Sequence, residues 1–105
     1  MSVNTYLWEI LVPGRKEGQK VKKGYHKQWD AKVRAISKGL TILSPTKGQW
    51  VDKDGSLFVE KMIPVRIACT QDEILDIATI TAKHYNQKAV MYYKMSDNVH
   101  IRYYQ

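Results

Sequence analysis

The most constraining feature of the sequence is a short run near its start that carries apolar residues on both sides of an extended chain. Residues 6–12, YLWEILV, are rich in aromatic and branched side chains and are followed directly by Pro13 and Gly14. This pattern is typical of a buried strand that ends in a turn. Because side chains alternate along a strand, Trp8 faces one side and Leu7 the other, each with apolar neighbours. We expect this strand inside a sheet whose two faces are both covered.

Two later segments have the spacing of amphipathic helices. From Tyr25, apolar residues recur every three or four positions as far as Ile36, and Gly39 is placed to cap the end of that helix. The second helix is predicted to start at the capping box of residues 70–73, TQDE, and its apolar face continues to Tyr85. Each helix can therefore lay one apolar face on a sheet.

Extended segments separate and follow the two helices. The turn sequence of residues 52–55, DKDG, predicts a hairpin between the second and third strands. Pro64 lies within the third strand and predicts a bulge or a change of pairing partner there, because proline cannot donate to a ladder. The predicted extended segments are residues 40–44, 49–52, 57–69, 89–94 and 99–104.

This order of elements predicts an α+β fold of the split β-α-β type. The expected architecture is a ferredoxin-like sandwich, with an antiparallel sheet, two helices on one face and an extra C-terminal strand. A chain of 105 residues has room for one core, so residues 1–105 are predicted to form a single domain. Since the helices cover only one face, we expect another subunit to cover the other face, in a homo-oligomer that is a dimer or a trimer.

The charge of the chain favours anionic partners. It has 17 Lys and Arg residues against 10 Asp and Glu, which gives a net charge of +7. Residues 13–24, PGRKEGQKVKKG, are predicted to form a mobile basic loop, in which Lys20, Lys22 and Lys23 are candidate contacts for nucleic acid or another anion. The alternative is a solvated loop that aids solubility.

Several sequence patterns that mark other classes of protein are missing from this sequence. No apolar run is long enough to cross a membrane, and the first residues lack the pattern of a signal peptide. Cys69 is the only cysteine and cannot form an internal disulfide, so a cytoplasmic location is expected. The three histidines lack metal-ligand spacing, and no cofactor fingerprint occurs, so neither a metal nor a cofactor is expected.

Glu60 is the polar residue with the clearest functional potential. It lies within a strand that is expected to be largely buried, where a carboxylate needs a partner. Arg66 and Lys94 are possible partners, in which case the group has a structural role. The alternative is a functional acid or base. Tyr92 is expected to pack, but a tyrosine on an open sheet face can also stack on a nucleoside base.

Several short motifs carry a family resemblance, namely Gly39-Leu40-Thr41, Gly48-Gln49-Trp50, Gly55, Glu60 and residues 85–90, YNQKAV. Through them the sequence resembles a group of small uncharacterised proteins of bacteria and their phages, which are predicted to be ferredoxin-like. This resemblance spans nearly the whole chain and supports the fold but no activity.

A second resemblance is to the phage S-adenosylmethionine lyases, through residues 65–69, Ala82 and residues 87–94. These are small trimeric enzymes of the same architecture that cleave the sulfonium compound at subunit interfaces. The resemblance implies that Glu60 orients or helps to deprotonate the substrate, while an aromatic residue of a neighbouring subunit packs near the sulfonium. The predicted ligand-binding residues are Trp8, Arg66, Tyr92 and Lys94.

Two functional hypotheses follow from the sequence. The first is a small oligomeric protein of phage or bacterial type that binds, and in its stronger form cleaves, a nucleoside-type metabolite such as S-adenosylmethionine between subunits. The second is a non-catalytic interaction module that binds nucleic acid or an acidic host protein through the basic loop. No catalytic motif names a reaction, so enzymatic activity stays open.

Overall fold

The chain builds an antiparallel sheet with both helices packed against one face. The computed structural model describes residues 5–105. Its elements are β1 (Tyr6–Pro13), β2 (Arg15–Lys16), β3 (Gln19–Lys20), α1 (Lys23–Ser37), β4 (Thr41–Ile42), β5 (Thr46–Val51), β6 (Leu57–Cys69), α2 (Gln71–His84) and β7 (Tyr92–Ser96).

The order of strands in the main sheet is β4-β6-β1-β7, and β5 also pairs with β6. All of these pairs are antiparallel. β1 lies between β6 and β7, in the interior of the sheet, as its two-sided apolar pattern predicts. The arrangement is that of a ferredoxin-like split β-α-β fold, so the predicted α+β class is confirmed.

The core lies between the helices and one face of the sheet. Trp29 and Val33 of α1 and Ile74 and Ile77 of α2 are buried there. The sheet contributes alternate residues, as expected from the period of a strand. These are Trp8, Ile10, Val12, Val65, Ile67 and Cys69.

A buried hydrogen bond joins the two helices. The Trp29 indole donates Nε1–H to Thr81 Oγ1 at 2.9 Å, and the Thr81 hydroxyl donates in turn to the Ile77 carbonyl at 2.7 Å. Trp29 and Thr81 are both fully or almost fully buried. The indole nitrogen of Trp29, the only polar atom of this large core side chain, therefore has a hydrogen-bond partner inside the core.

Half of β6 protrudes from the body of the domain. Residues Leu57–Met62 pair with β5, whereas Met62–Cys69 pair with β1. We call β5 together with residues 57–61 of β6 the arm. The turn at its tip is held by the Asp52 carboxylate, which accepts from the Asp54 and Ser56 amides at 2.9 and 3.0 Å.

The predicted change of partner in β6 is confirmed, but the alternative, a bulge at Pro64, does not form. The register between β1 and β6 runs without a break, with Leu11 opposite Pro64. The Pro64 carbonyl accepts from the Leu43 amide at 2.9 Å. Since the N and C=O of a strand residue face the same side, the missing N–H faces the junction between β4 and β5. Proline is tolerated there because no regular ladder passes this point.

Several predicted boundaries differ from the structure. The extended segments predicted at residues 49–52 and 89–94 correspond to β5 (Thr46–Val51) and β7 (Tyr92–Ser96). The left-handed position that ends α1 belongs to Lys38, with φ 70°, rather than to Gly39. The Ser37 hydroxyl contacts the Val33 and Gly39 carbonyls and tightens the chain one residue earlier than expected. Residues 99–104 form no strand, and after the half-buried Val99 they lie exposed.

The basic segment of residues 13–24 contains a small hairpin, β2–β3, that the sequence analysis did not predict. Glu17 and Gly18 at its tip have φ of 52° and 80°, the values of a type I′ turn. Val21 is buried and its amide donates to the Gly14 carbonyl at 3.0 Å. The predicted mobility of this segment stays a prediction. None of the helices in residues 5–105 is long and apolar enough to cross a membrane.

Candidate functional site

Two aromatic rings are stacked on an exposed face of the arm. Trp50 and Phe58 lie opposite each other in the β5–β6 register, with ring centroids 5.7 Å apart and planes inclined by 17°. Each residue is 42% exposed. Aromatic rings of this size are usually buried on folding. Here the two rings are partly exposed and present π surface to solvent.

Glu60 lies on the same face of the arm, two residues after Phe58. It is opposite Gly48, which has no side chain. A Cβ added to Gly48 would lie 3.2 Å from Met62 Sδ, so the Met62 side chain lies over Gly48. We call Gly48, Trp50, Phe58 and Glu60 the arm site.

The expectation that Glu60 is largely buried is wrong. Glu60 is exposed, because among residues 5–105 only β5 pairs with this half of β6 and no helix lies over it. It lines a cavity of about 280 Å³ together with Arg15, Lys61 and Gln87. In the described chain, neither of the two ion pairs involves Glu60. Its carboxylate is free to accept hydrogen bonds or to attract a cation.

The aromatic part of the arm site was missed by the sequence analysis, although the sequence contains the signal. A hairpin with its turn at residues 52–55 places Trp50 opposite Phe58. Alternation along β6 then puts Phe58 and Glu60 on one face. Counting outward from the turn would have found the three side chains together.

The structure does not bring the predicted ligand-binding residues together with Glu60. Trp8 and Tyr92 lie on the helix-covered face, with ring centroids 6.1 Å apart. The Trp8 indole donates to the Cys69 carbonyl at 3.0 Å. Lys94 binds Asp97 at 2.9 Å. Contacts of Trp8, Tyr92 and Lys94 with a ligand stay predictions.

Arg66 pairs with Glu9 and not with Glu60. Its Nε lies 3.1 Å from Glu9 Oε1, and the Tyr93 hydroxyl donates to the other oxygen of the same carboxylate. Glu9 is buried on the open face of the sheet. Glu60 is six residues away along β6, a distance of roughly 20 Å. The pair is structural in this arrangement, and a ligand-binding role of Arg66 also stays a prediction.

The three predicted anion contacts do come together. Lys20, Lys22 and Lys23 line a cavity of about 630 Å³ that also has Arg15 and Lys61 in its wall. The cavity lies between the β2–β3 hairpin, the start of α1 and β6. We call it the basic cavity. Arg15 and Lys61 also line the smaller cavity at Glu60, so the two cavities adjoin.

His26 lies in the wall of the basic cavity and bonds to the helix pair behind it. Its Nδ1 is 2.6 Å from the Tyr85 hydroxyl. Burial lowers the pKa of His26, and His84 adds to this, while the Asp30 carboxylate acts in the opposite direction. Burial raises the pKa of Tyr85. Both groups are therefore neutral near pH 7 and can share a hydrogen bond at the cavity wall.

Among residues 5–105, no three His, Cys, Asp or Glu side chains are placed to hold a metal ion together.

Comparison with known proteins supports the fold and leaves the family open. No protein-family model matches the sequence, and no curated protein matches it. Membership of the group of small bacterial and phage proteins suggested by the sequence therefore stays a prediction.

Solved structures match nearly the whole chain at very low sequence identity. The periplasmic divalent cation tolerance protein CutA from Archaeoglobus fulgidus matches with a TM-score of 0.68 and 6% identity, over 93% of this chain and 88% of that chain. CutA1 from Oryza sativa matches with a TM-score of 0.67 and 8% identity, over 90% and 81%. A phage SAM lyase in complex with S-methyl-5′-thioadenosine matches with a TM-score of 0.68 and 10% identity, over 92% and 84%. The resemblance to the phage lyases therefore extends from the sequence motifs to the backbone. The resemblance to the CutA proteins is one of backbone structure alone. The chain has the ferredoxin-like fold that these proteins share.

Proposed function

We propose that this protein self-associates through its arm and binds a nucleoside-type metabolite, such as S-adenosylmethionine, at the arm site. The observation that carries the proposal is the stacked pair Trp50–Phe58 beside the free carboxylate of Glu60. The predicted homo-oligomer and the predicted role of Glu60 come together in this proposal. The single buried Cys69 supports the expectation of a reducing, cytoplasmic compartment.

The surface of the arm supports self-association. Val51, Leu57 and Val59 are 62%, 61% and 52% exposed on the face opposite the arm site. The edge of β6 away from β5 has no strand partner at residues 57–61 in the described chain. An apolar strand with a free edge is a template for pairing with another chain. We take the occupant to be a second copy, which would cover both the edge and the apolar side chains.

The chemistry of the arm site supports a nucleoside-type ligand. The exposed Trp50 and Phe58 rings offer a flat π surface on which an adenine can stack. The same rings attract a sulfonium cation, and Glu60 adds a negative charge next to them. In the isolated chain the site is open, and a strand of a second copy added at the free edge of β6 would border it beside Phe58 and Glu60. The backbone likeness to a phage SAM lyase that holds S-methyl-5′-thioadenosine supports this choice of ligand.

Self-association is tested by measuring the mass in solution with size-exclusion chromatography and light scattering. The wild type is expected at two or more chains, and Leu57→Ser at one chain or in a concentration-dependent mixture. Leu75→Ser is the matched control, because Leu75 is also exposed but lies on α2. A wild type that stays a single chain at all concentrations tested would remove this part of the proposal.

Ligand binding is tested by calorimetry with S-adenosylmethionine and S-methyl-5′-thioadenosine. Glu60→Gln and Phe58→Leu are each expected to weaken binding by about tenfold, the effect of losing one charged hydrogen bond or one aromatic contact. Asp54→Asn removes the same charge from the tip of the arm and should leave binding unchanged. Chromatography of the reaction mixture for S-methyl-5′-thioadenosine tests turnover. If neither compound releases or absorbs heat on titration, the binding proposal is refuted.

A further inference from the structure

The basic cavity brings several cationic groups together. Its charged lining consists of Arg15, Lys20, Lys22, Lys23 and Lys61, and no Asp or Glu of residues 5–105 lines it. Glu17 and Glu60 line the adjoining cavity, which Arg15 and Lys61 also reach, so Lys20, Lys22 and Lys23 are the cations that share neither of these two linings with a carboxylate. The two ion pairs of residues 5–105, Glu9–Arg66 and Lys94–Asp97, use none of these groups. Like charges held around one cavity repel each other, and a bound anion relieves that repulsion.

The start of α1 lies at the wall of the same cavity, and its Tyr25 amide donates to the Lys22 carbonyl at 3.0 Å. Lys22 is the N-cap of α1 and makes no side-chain capping bond, and the first turn contains no acidic residue. The first amides of a helix lack partners within the helix, and its N-terminus carries a partial positive charge. Lys22 and Lys23 line the cavity, so this helix start lies at its wall. Gly24 follows them and is exposed.

The cavity continues into an apolar slot. A second cavity of about 250 Å³ is lined mainly by Val12, Trp29, Ile42, Ile63 and Val65. It shares Lys23, His26 and Ile63 with the basic cavity. Lys27 and Asp30 also line it, and they are the charged groups that the basic cavity does not share. The combined space therefore has a cationic end and an apolar end, with His26 at the boundary.

This shape favours a small molecule over a nucleic acid. The volume of about 630 Å³ falls in the range of small-molecule pockets, and it is concave. A nucleic-acid surface instead spreads its lysines and arginines along the track of a backbone, with aromatic side chains for the bases. Here the cationic side chains converge on one space, and the apolar slot that follows could hold a single ring.

We propose that the basic cavity binds a small molecule that carries a phosphate group on an apolar or aromatic body. The phosphate lies among the lysines and the start of α1, and the body enters the slot next to Trp29 and Ile63. This is a binding site separate from the arm site, and it does not rest on the function proposed for the arm.

The experiment compares inorganic phosphate, phenyl phosphate and phenol as probes in calorimetry and thermal unfolding. All samples are brought to one ionic strength with KCl, so that general screening is constant. Phosphate should bind weakly and phenyl phosphate at least tenfold more tightly, because its ring adds buried apolar area. Phenol should not bind measurably. A ligand that binds only the folded state also raises the unfolding temperature, which gives a second readout.

The variants test the site itself. Lys22→Gln combined with Lys23→Gln should weaken phenyl phosphate by about tenfold or more, since each charged hydrogen bond contributes at least that much. Lys53→Gln combined with Lys88→Gln removes the same charge away from the cavity and should change the affinity less than twofold. Both lysine pairs are exposed, so the folded state is expected to persist in each variant.

Three results would overturn the proposal. The first is that neither inorganic phosphate nor phenyl phosphate gives more heat or a higher unfolding temperature than KCl at the same ionic strength. The second is that the two lysine double variants bind phenyl phosphate with equal affinity. The third is a single-stranded oligonucleotide that binds through Lys22 and Lys23 while phenyl phosphate does not, which would favour the nucleic-acid hypothesis. Phe58→Leu should leave phenyl phosphate binding unchanged, so failure at this cavity and failure at the arm site are distinguishable.

Discussion

Replacing Thr81 by valine should destabilise the domain far more than the same replacement elsewhere on α2. The Thr81 hydroxyl accepts the indole N–H of Trp29 at 2.9 Å and is fully buried. Valine has nearly the same shape but leaves that N–H without a partner in the core. An unsatisfied buried donor costs about 1–3 kcal/mol. The Ile77 carbonyl, which also contacts the hydroxyl, keeps its backbone partner within the helix.

The matched control is Thr79→Val. The Thr79 hydroxyl makes the same kind of bond, to the Leu75 carbonyl at 3.1 Å, but it is exposed and accepts from no buried donor. The two substitutions therefore change helix propensity equally. They differ in that only Thr81→Val buries the added methyl group and leaves the indole N–H without a partner. We expect Thr79→Val to stay within about 0.5 kcal/mol of the wild type.

The assay is thermal and urea unfolding at one fixed protein concentration. For 105 residues the entropy of unfolding is roughly 220 cal/mol/K, so 1–3 kcal/mol corresponds to about 5–14 °C in melting temperature. A double-mutant cycle with Trp29→Phe isolates the bond, because Thr81→Val should cost little once the donor is gone. Equal effects of Thr81→Val and Thr79→Val, or no coupling to Trp29, would refute the reasoning.

Three further predictions concern the stability and reactivity of the domain. Because burial lowers the pKa of His26 below its ordinary 6.5, the unfolded chain binds the proton more readily, and the free energy of unfolding should rise with pH between the folded value and 6.5. Urea titrations at several pH values should show this slope in the wild type and a smaller one in His26→Gln; equal slopes would contradict it. Burial raises the pKa of Cys69 to about 12, so iodoacetamide at pH 8 should label the native thiol at least about a hundredfold more slowly than the urea-unfolded chain; comparable rates would show that the thiol is accessible. Thr70→Ala removes the hydroxyl that accepts the Glu73 amide at 3.2 Å and should cost about 1 kcal/mol in urea unfolding, while Thr70→Ser should retain most of it; the idea fails if serine and alanine behave alike.

The sequence predicted the body of the fold because each element there is specified locally. The alternation of β1 carries apolar residues on both sides, and this pattern fits only an interior strand. Thr70 and Glu73 form the capping box expected from their spacing, with bonds of 2.9 and 3.2 Å. In these elements the local pattern and the tertiary packing agree, so reading the pattern was sufficient.

The candidate sites were harder to predict because they depend on where strands end. Glu60 was expected to be buried since β6 is long and apolar, and only the pairing register reveals that this half protrudes. Arg66 was considered as its partner, yet Glu9 lies directly across the ladder from Arg66. The convergence of Lys20 and Lys61 on one cavity needs a contact between segments about 40 residues apart, which local spacing does not encode.

The separation of the arm from the core has a consequence for how this protein can change. Within residues 5–105, no side chain of the core or of the layer packed against it comes from between Leu40 and Ile63. Substitutions in the arm therefore replace no side chain of the interior, and folding of the body constrains them only weakly. The arm could thus be exchanged as a module between related domains, acquiring new ligands or new assemblies while the body beneath it remains the same.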